Sequence, residues 1–157
     1  MPDTPFVYVA YISTTPERLW QGLTDGAFTA QYWFGRRITS EWREGASVRH
    51  VREDGGVDWV GEVLRYEPYS VLSYTFHMQI NDAHRADAPS RLTFEIEPYD
   101  ESVVKLTLTH DHLEDAPATR ETTRYGWPAL MSSLKSLLET GTALPFRRLG
   151  FGPNRPT

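Results

Sequence analysis

The stretch at positions 120–141, RETTRYGWPALMSSLKSLLETG, decides the fold. Its apolar residues recur at intervals of three and four, which places them in one stripe along an α-helix. The stripe consists of Trp127, Leu130, Met131, Leu134, Leu137 and Leu138. Gly141 is predicted to end the helix, because glycine readily takes the left-handed conformation just beyond a last helical residue. A helix with one apolar face needs a surface to pack on, and the upstream sequence predicts a β-sheet.

Upstream of this helix, runs of β-branched and aromatic residues are separated by turn residues, a pattern typical of strands and hairpins. The first strand is predicted at 6–13, and two short helices follow it, one beginning near Pro16 and one at 28–33. The six further strands are predicted at 38–42, 47–52, 57–67, 70–80, 90–98 and 102–112. The short connections between them favour antiparallel pairing. One polar connection, 81–89, is too long for a tight turn and is more typical of a solvated hairpin tip than of a flap over a cavity.

Three of the strands alternate apolar and polar residues, so the predicted sheet has one apolar and one polar face. The helix at 120–141 is the available cover for the apolar face. We therefore predict an α+β fold: a seven-stranded antiparallel sheet wrapped around a long C-terminal helix, with two short helices after the first strand. The domain is expected to span 1–141. A flexible tail is expected at 142–157, where Pro and Gly are frequent and apolar periodicity is absent.

Composition limits the classes of function. The chain has 157 residues, enough for one domain with a sizeable core. Its net charge of −5 argues against a nucleic-acid partner, which would need clustered Lys and Arg. The absence of cysteine excludes disulfides, thiol catalysis and thiolate metal sites. The first residues lack the pattern of a signal peptide, and no apolar run is long enough to cross a membrane. We therefore expect a cytoplasmic protein without membrane insertion.

Several short motifs follow one another in the order of these elements. They are YI at 11–12 with PERLW at 16–20, YWFG at 32–35, GEVL at 61–64, Pro68 with LSY at 72–74, LTLTH at 106–110, and GWP at 126–128 with LKSLLE at 134–139. Together they resemble the SRPBCC superfamily, also called START or birch-pollen-allergen-like, and within it the branch named after the activator of the heat-shock-protein ATPase. The resemblance covers 6–141 and implies the helix-grip fold. Members of the superfamily bind lipids, hormones or polyketides, some are cyclases or hydratases, and the eukaryotic co-chaperones stimulate a chaperone ATPase.

The resemblance also implies a cavity between the sheet and the C-terminal helix. Apolar and partly aromatic walls with a few polar groups suit the binding of a small molecule. For each aromatic residue taken alone, core packing is the simpler interpretation. The residues predicted to line the cavity are Trp42, Trp59, Tyr74, Phe76, Phe94, Leu108, His110, Trp127, Leu130, Met131 and Leu134.

Two histidines and one glutamate are the candidates for chemistry. His110 and His112 lie two apart on a predicted strand, so they share a face and could share a metal, or one could act as a general acid or base. No third ligand is indicated, whereas a metal site normally needs three or four. We therefore predict no metal and interpret His110 as a polar residue of the cavity wall. The orientation of Glu62 stays open, because its strand carries apolar residues on both faces. An inward Glu62 would be a buried carboxylate and a candidate for catalysis.

The sequence favours non-catalytic binding of a small hydrophobic or amphipathic molecule between the sheet and the helix, without a cofactor. Polar groups on the predicted inner face are few and do not form a recognised catalytic constellation. One alternative is an enzyme of the cyclase, dehydratase or hydrolase type that uses His110, Tyr74 or Glu62. Another is a co-chaperone-like protein that acts through its surface. A weak homodimer is also left open.

Overall fold

The computed structural model describes residues 4–146 and confirms the predicted α+β fold. The strands in this part of the chain are β1 (Phe6–Ser13), β2 (Arg37–Ser40), β3 (Ser47–Val51), β4 (Val57–Glu67), β5 (Val71–Met78), β6 (Ser90–Asp100) and β7 (Val103–Asp111). The helices are α1 (Pro16–Thr24), α2 (Gly26–Tyr32), α3 (Asp82–Arg85) and α4 (Pro117–Thr140). The strands form one antiparallel sheet in the order β1-β7-β6-β5-β4-β3-β2, so β1 and β2 are its edges.

Helix α4 covers the apolar face of the sheet, as the spacing of its apolar residues predicts. Five residues of the predicted stripe are buried and Leu138 is half-buried. The buried ones are Trp127, Leu130, Met131, Leu134 and Leu137. The predicted helix end is also confirmed: Gly141 has a left-handed backbone with φ of 84° and donates its N–H to the Leu137 carbonyl over 2.9 Å. A small cavity lies beneath this helix.

Residues 81–89, which we name the α3 segment, pack against the start of α4. The N-cap of α4, Ala116, makes no side-chain capping bond. Asp87 supplies the cap from a distant part of the chain, since its carboxylate accepts the Thr119 N–H over 2.7 Å and the Thr119 hydroxyl over 2.8 Å. His84 is buried and its Nε2 lies 2.7 Å from the Thr122 hydroxyl. The segment is mostly exposed, as expected of a hairpin tip, but its two buried side chains, His84 and Asp87, bind the helix.

The edge strand β1 is partly covered by side chains of α4. Lys135 donates from Nζ to the Tyr11 carbonyl over 2.5 Å, and the Ser13 N–H donates to Glu139 over 2.8 Å. Lys135 and Glu139 also form an ion pair over 2.6 Å one helical turn apart. Both backbone groups of β1 lie on the side that has no neighbouring strand. Helix α4 thus touches the sheet at its face and at its edge.

Four predicted strands, at 38–42, 47–52, 70–80 and 102–112, extend beyond the ends of the observed ones, and two of these differences change where a candidate residue lies. The strand expected at 38–42 ends at Ser40, and Trp42 has a left-handed backbone with φ of 50°. The strand expected at 102–112 ends at Asp111, and His112 has φ of 58° and is exposed. A left-handed backbone cannot continue a strand. The side chains of Trp42 and His112 therefore do not point to the side of the sheet that strand alternation predicts.

The first residues of the predicted tail contact the domain. Positions 142–146 have no regular secondary structure. The Leu144 N–H donates to Ser133 over 3.1 Å, and the Phe146 ring lies 5.9 Å from the ring of Phe34. The rest of the predicted tail, 147–157, lies outside the described residues.

Candidate functional site

A small cavity lies between α4 and the strands β3, β4 and β5. Its volume is about 10 Å³, which is room for roughly one water molecule. Strands and helix supply most of its wall, and Trp33 closes one side from the C-terminal end of α2. The lining residues are Trp33, His50, Asp58, Trp59, Phe76, Met78, Ile80, Thr123, Trp127 and Leu130.

Half of the lining residues carry aromatic rings, and Trp59 is at their centre. Its indole stacks on Tyr74 with ring centroids 5.2 Å apart and planes 7° from parallel. On the neighbouring strand, His50 stacks on the same indole at 5.1 Å and 16°. Phe76 lies 4.9 Å from it, and Trp33 lies 4.3 Å from the His50 ring. Offset and edge contacts of this kind stabilise a packed aromatic cluster.

Among residues 4–146, the side-chain nitrogens of His50 and Trp59 are buried without a hydrogen-bond partner. His50 is 0% exposed and Trp59 is 1% exposed. Within residues 4–146, no group bonds either ring nitrogen of His50 or the indole N–H of Trp59. Buried polar groups in proteins are nearly always hydrogen-bonded, and each one left unpaired costs about 1–3 kcal/mol. The two side chains were brought together by strand pairing, since they face each other across β3 and β4.

His50 is neutral at physiological pH. Burial lowers the pKa of its imidazole well below the ordinary 6.5, and the positive charge of Arg36 lowers it further. A neutral imidazole has one N–H donor and one nitrogen acceptor. The cavity therefore offers three unpaired hydrogen-bonding atoms: a donor and an acceptor on His50 and a donor on Trp59.

Asp58 forms the charged end of the cavity. One of its carboxylate oxygens accepts Arg36 Nε over 2.7 Å and the other accepts Arg52 Nη1 over 2.7 Å. Arg36 is held in turn by the Phe34 carbonyl, to which its Nη1 donates over 2.6 Å. Asp58 is buried, with 6% of its surface exposed. Its charge is compensated by these arginines, so the carboxylate is an anchor for the cavity end and not a free acceptor.

His110 belongs to a hydrogen-bonded chain behind the cavity. The Trp127 indole N–H donates to its Nδ1 over 3.0 Å, which places the proton of a neutral ring on Nε2. That Nε2 donates to Ser90 over 2.7 Å, and the Ser90 hydroxyl donates to the Phe76 carbonyl over 3.1 Å. Both ring nitrogens are thus occupied. The geometry favours a role for His110 in fixing the indole of Trp127.

The predicted lining residues fall into three groups. Trp59, Phe76, Trp127 and Leu130 line the cavity. Six others are buried in the core but do not line the cavity: Tyr74, Phe94, Leu108, His110, Met131 and Leu134. Trp42 was placed wrongly. Its left-handed backbone turns the ring to α1, where its N–H donates to the Thr24 carbonyl over 3.0 Å and its ring stacks on Tyr66 at 6.1 Å.

The orientation of Glu62 is outward. Its side chain is exposed on β4, and its backbone N–H donates to the Thr75 hydroxyl over 2.8 Å. His110 and His112 do not share a strand face as predicted, because β7 ends at Asp111 between them and His112 has a left-handed backbone. In the described part of the chain, no three side chains of the His, Asp or Glu type come together as a metal site would require.

The most informative lining residue, His50, escaped the sequence analysis although a signal for it exists. It lies two positions after Val48 in SVRHV, and strand alternation places both side chains on one face. Met78 follows from the alternation of β5 in the same way, whereas Ile80 lies two residues beyond the end of that strand. Asp58 has no such signal, because its partner Arg36 lies 22 positions away. Trp33 and Thr123 join the wall through the packing of α2 and α4.

Comparison with known proteins agrees with this architecture. The family model of Activator of Hsp90 ATPase homolog 1-like protein matches residues 13–139. The protein MLL2253 from Mesorhizobium loti superposes with a TM-score of 0.70 and 26% identity, covering 86% of this chain and 96% of that one. No curated protein matches the chain in sequence.

Two further structures share the fold at lower identity. The Aha1 dimer from Colwellia psychrerythraea has a TM-score of 0.66 and 19% identity, covering 88% of this chain and 98% of that one. DynU16, a protein of the dynemicin biosynthetic locus, has a TM-score of 0.72 and 19% identity, covering 90% of this chain and 49% of that one. Within residues 4–146, no helix combines the length and apolar character needed to span a membrane.

Proposed function

Because the chain belongs to the family of activator of Hsp90 ATPase homolog 1-like proteins, we propose that it binds a small, mostly apolar molecule in the cavity beneath α4. The single observation that carries this proposal is the unpaired state of His50 and Trp59. Unpaired buried polar atoms lower stability, and residues that break local rules in this way are expected at functional sites. A ligand with a polar group would pair them while its apolar body contacts the aromatic wall.

The cavity must widen to admit such a ligand. Its present volume is about 10 Å³, whereas a cavity of about 150 Å³ is needed to hold benzene in a protein interior. Met78 is the adaptable part of the wall, because its unbranched side chain has three rotatable bonds. Opening costs free energy and lowers the apparent affinity accordingly. We therefore expect modest affinity for small apolar probes.

The geometry supports binding over catalysis. His110 uses both ring nitrogens inside the protein, and Glu62 is exposed on the outer face. Burial raises the pKa of the Tyr74 phenol well above its ordinary 10, with a further contribution from Tyr32, so Tyr74 stays protonated at neutral pH. The three residues considered for an enzyme thus form no acid and base pair around a common space.

A matched pair of substitutions tests the proposed site with toluene as the probe. A ligand that binds only the folded state raises stability by RT ln(1 + [L]/Kd). Toluene should raise the melting temperature of the wild type, and Leu130→Phe should abolish the rise by filling the cavity. Leu137→Phe adds the same ring to the same helix away from the cavity wall and should retain the rise. A wild type that shows no rise, or equal effects of both variants, would contradict a site beneath α4.

We also propose weak self-association through the outer face of β1. Val7, Val9 and Tyr11 alternate on this face and are 43–54% exposed, and Tyr99 packs on Tyr11 with ring centroids 4.7 Å apart. The dimer of the Colwellia protein supports this proposal. Sedimentation velocity over a concentration series should show a monomer–dimer equilibrium that Val9→Lys shifts to monomer. A single species that does not change with concentration would refute it.

A further inference from the structure

We infer that the ligand of the α4 cavity is a neutral molecule with a single aromatic ring and a hydroxyl group, and that this hydroxyl hydrogen-bonds with His50 and Trp59. The inference rests on the proposed function and adds the chemistry of the ligand to it.

The unpaired atoms select the polar group. His50 offers one donor and one acceptor, while the Trp59 indole offers one donor. A hydroxyl has one donor and two acceptor sites, so it can accept from the Trp59 N–H and either donate to or accept from one ring nitrogen of His50. A ketone or a carboxylate only accepts, which would leave the acceptor nitrogen of His50 unpaired and buried. An ammonium only donates, which would leave both N–H groups unpaired.

The charges around the cavity select a neutral ligand. Asp58 lines the same space and already pairs with Arg36 and Arg52, so a ligand carboxylate would have to compete with it for these arginines. A ligand cation would find both Asp58 oxygens already bound by Arg36 and Arg52, whose positive charges it would approach. An ionised group would also lose its hydration on entering this apolar interior, at a cost that only a close partner offsets.

The wall selects an aromatic ring of limited size. Four of the lining side chains are Trp33, Trp59, Phe76 and Trp127, and their contacts mix stacked, tilted and edge-on geometries. A planar ring can enter such a cluster with offset or edge contacts of the same kind. Each additional ring would require a larger opening of a cavity that measures about 10 Å³. A single-ring phenol is therefore the ligand class that satisfies the unpaired polar atoms, carries no charge and matches the aromatic wall.

Toluene and p-cresol are the probes that test this, since they differ by one hydroxyl. A hydroxyl that finds no partner in a buried site weakens binding because its hydration is lost. A hydroxyl paired as proposed should instead make p-cresol bind about tenfold more tightly than toluene. Dissociation constants of both probes are measured by ¹H–¹⁵N chemical-shift titration of the wild type and of folded variants.

Three variants locate the hydroxyl. In His50→Leu the preference for p-cresol should fall to about onefold or below, because the imidazole partner is gone. His50→Gln keeps a donor and an acceptor and should restore part of the preference. His77→Leu is the matched control, since His77 does not line the cavity, and it should keep the full preference.

The outcomes separate the inference from the proposed function. Equal binding of toluene and p-cresol overturns the inference and leaves apolar ligand binding intact. Binding of neither probe overturns both. A preference that survives in folded His50→Leu overturns the inference by placing the hydroxyl elsewhere. Tighter binding of 4-methylbenzoate or benzylamine than of p-cresol overturns the assignment of a neutral ligand.

Discussion

Trp59 and Trp127 form a natural pair for measuring what a buried indole N–H contributes. Each ring is 1% exposed and each lines the α4 cavity among other aromatic rings. They differ in one respect: the Trp127 N–H donates to His110 over 3.0 Å, and the Trp59 N–H has no partner in the described structure. Trp→Phe at each position removes the same atoms. The difference in stability between the two variants therefore isolates the hydrogen bond.

The expected magnitude follows from what each substitution leaves behind. Both variants lose buried ring surface and gain some empty space, a destabilising effect that is similar for the pair. Trp127→Phe also leaves His110 Nδ1 buried without a donor, which costs about 1–3 kcal/mol. Trp59→Phe instead removes a donor that was unpaired, so part of its loss is offset. We expect Trp127→Phe to lose at least ~1 kcal/mol more, out of the ~5–15 kcal/mol that stabilise a typical domain.

Urea unfolding followed by far-ultraviolet circular dichroism measures this difference without relying on tryptophan emission. Comparable m-values in the two variants would show that the folded and unfolded states expose similar surface. A double-mutant cycle of Trp127→Phe with His110→Leu should give a coupling free energy of about 1 kcal/mol, whereas the cycle of Trp59→Phe with His110→Leu should give nearly none. Equal losses in the two single variants, together with no coupling in the first cycle, would refute the assigned hydrogen-bond chain.

Three further predictions concern buried polar groups. His50→Leu should raise the free energy of unfolding by about 1 kcal/mol, because it removes two unpaired nitrogens at the expense of a ring stack; a loss measured by urea unfolding would show that the imidazole is paired. Since the pKa of His50 in the folded protein lies well below 6.5, the unfolded chain takes up the proton first as the pH falls, so wild-type stability should decrease below about pH 6.5. His50→Leu should lack this pH dependence, which amounts to at most ~1.4 kcal/mol per pH unit. Urea unfolding of both proteins at a series of pH values measures it, and identical pH profiles of stability would contradict the prediction. Asp87→Ala should cost about 1–2 kcal/mol by removing the cap of α4, while the exposed Asp82→Ala should cost little; equal thermal stability of both would argue against the cap.

The parts of the fold that depend on neighbouring residues could be predicted from the sequence. The stripe of α4 and its end at Gly141 follow from spacing and backbone preference within a few residues. The same holds for the inward facing of Phe76, which follows from alternation along its strand, whereas the strand of Trp59 carries apolar residues on both faces and its facing stayed open. Where a residue leaves regular backbone, as Trp42 does, alternation no longer applies and the prediction of its facing was wrong.

The parts that depend on distant pairing could not be predicted. Asp58 meets Arg36 across 22 positions, and His84 meets Thr122 across 38. Neither pair has a local pattern that marks it, so the α3 segment looked like a solvated turn. The unpaired state of His50 is likewise a property of three-dimensional packing. It arises because none of the described elements packed around His50 places a hydrogen-bonding group next to its ring nitrogens.

The contacts of Lys135 and Glu139 with β1 restrict how another chain can approach this protein. An exposed edge strand normally invites a further strand to extend the sheet, which is a route to peptide capture and to aggregation. Here an ammonium and a carboxylate occupy the Tyr11 carbonyl and the Ser13 N–H, two of the groups that an incoming strand would need in the second half of β1. A partner can therefore add strand to strand only along the first half of β1, where too few residues remain for a long ladder. Association through the flat outer side of the strand keeps these contacts and does not lead to open-ended growth of the sheet.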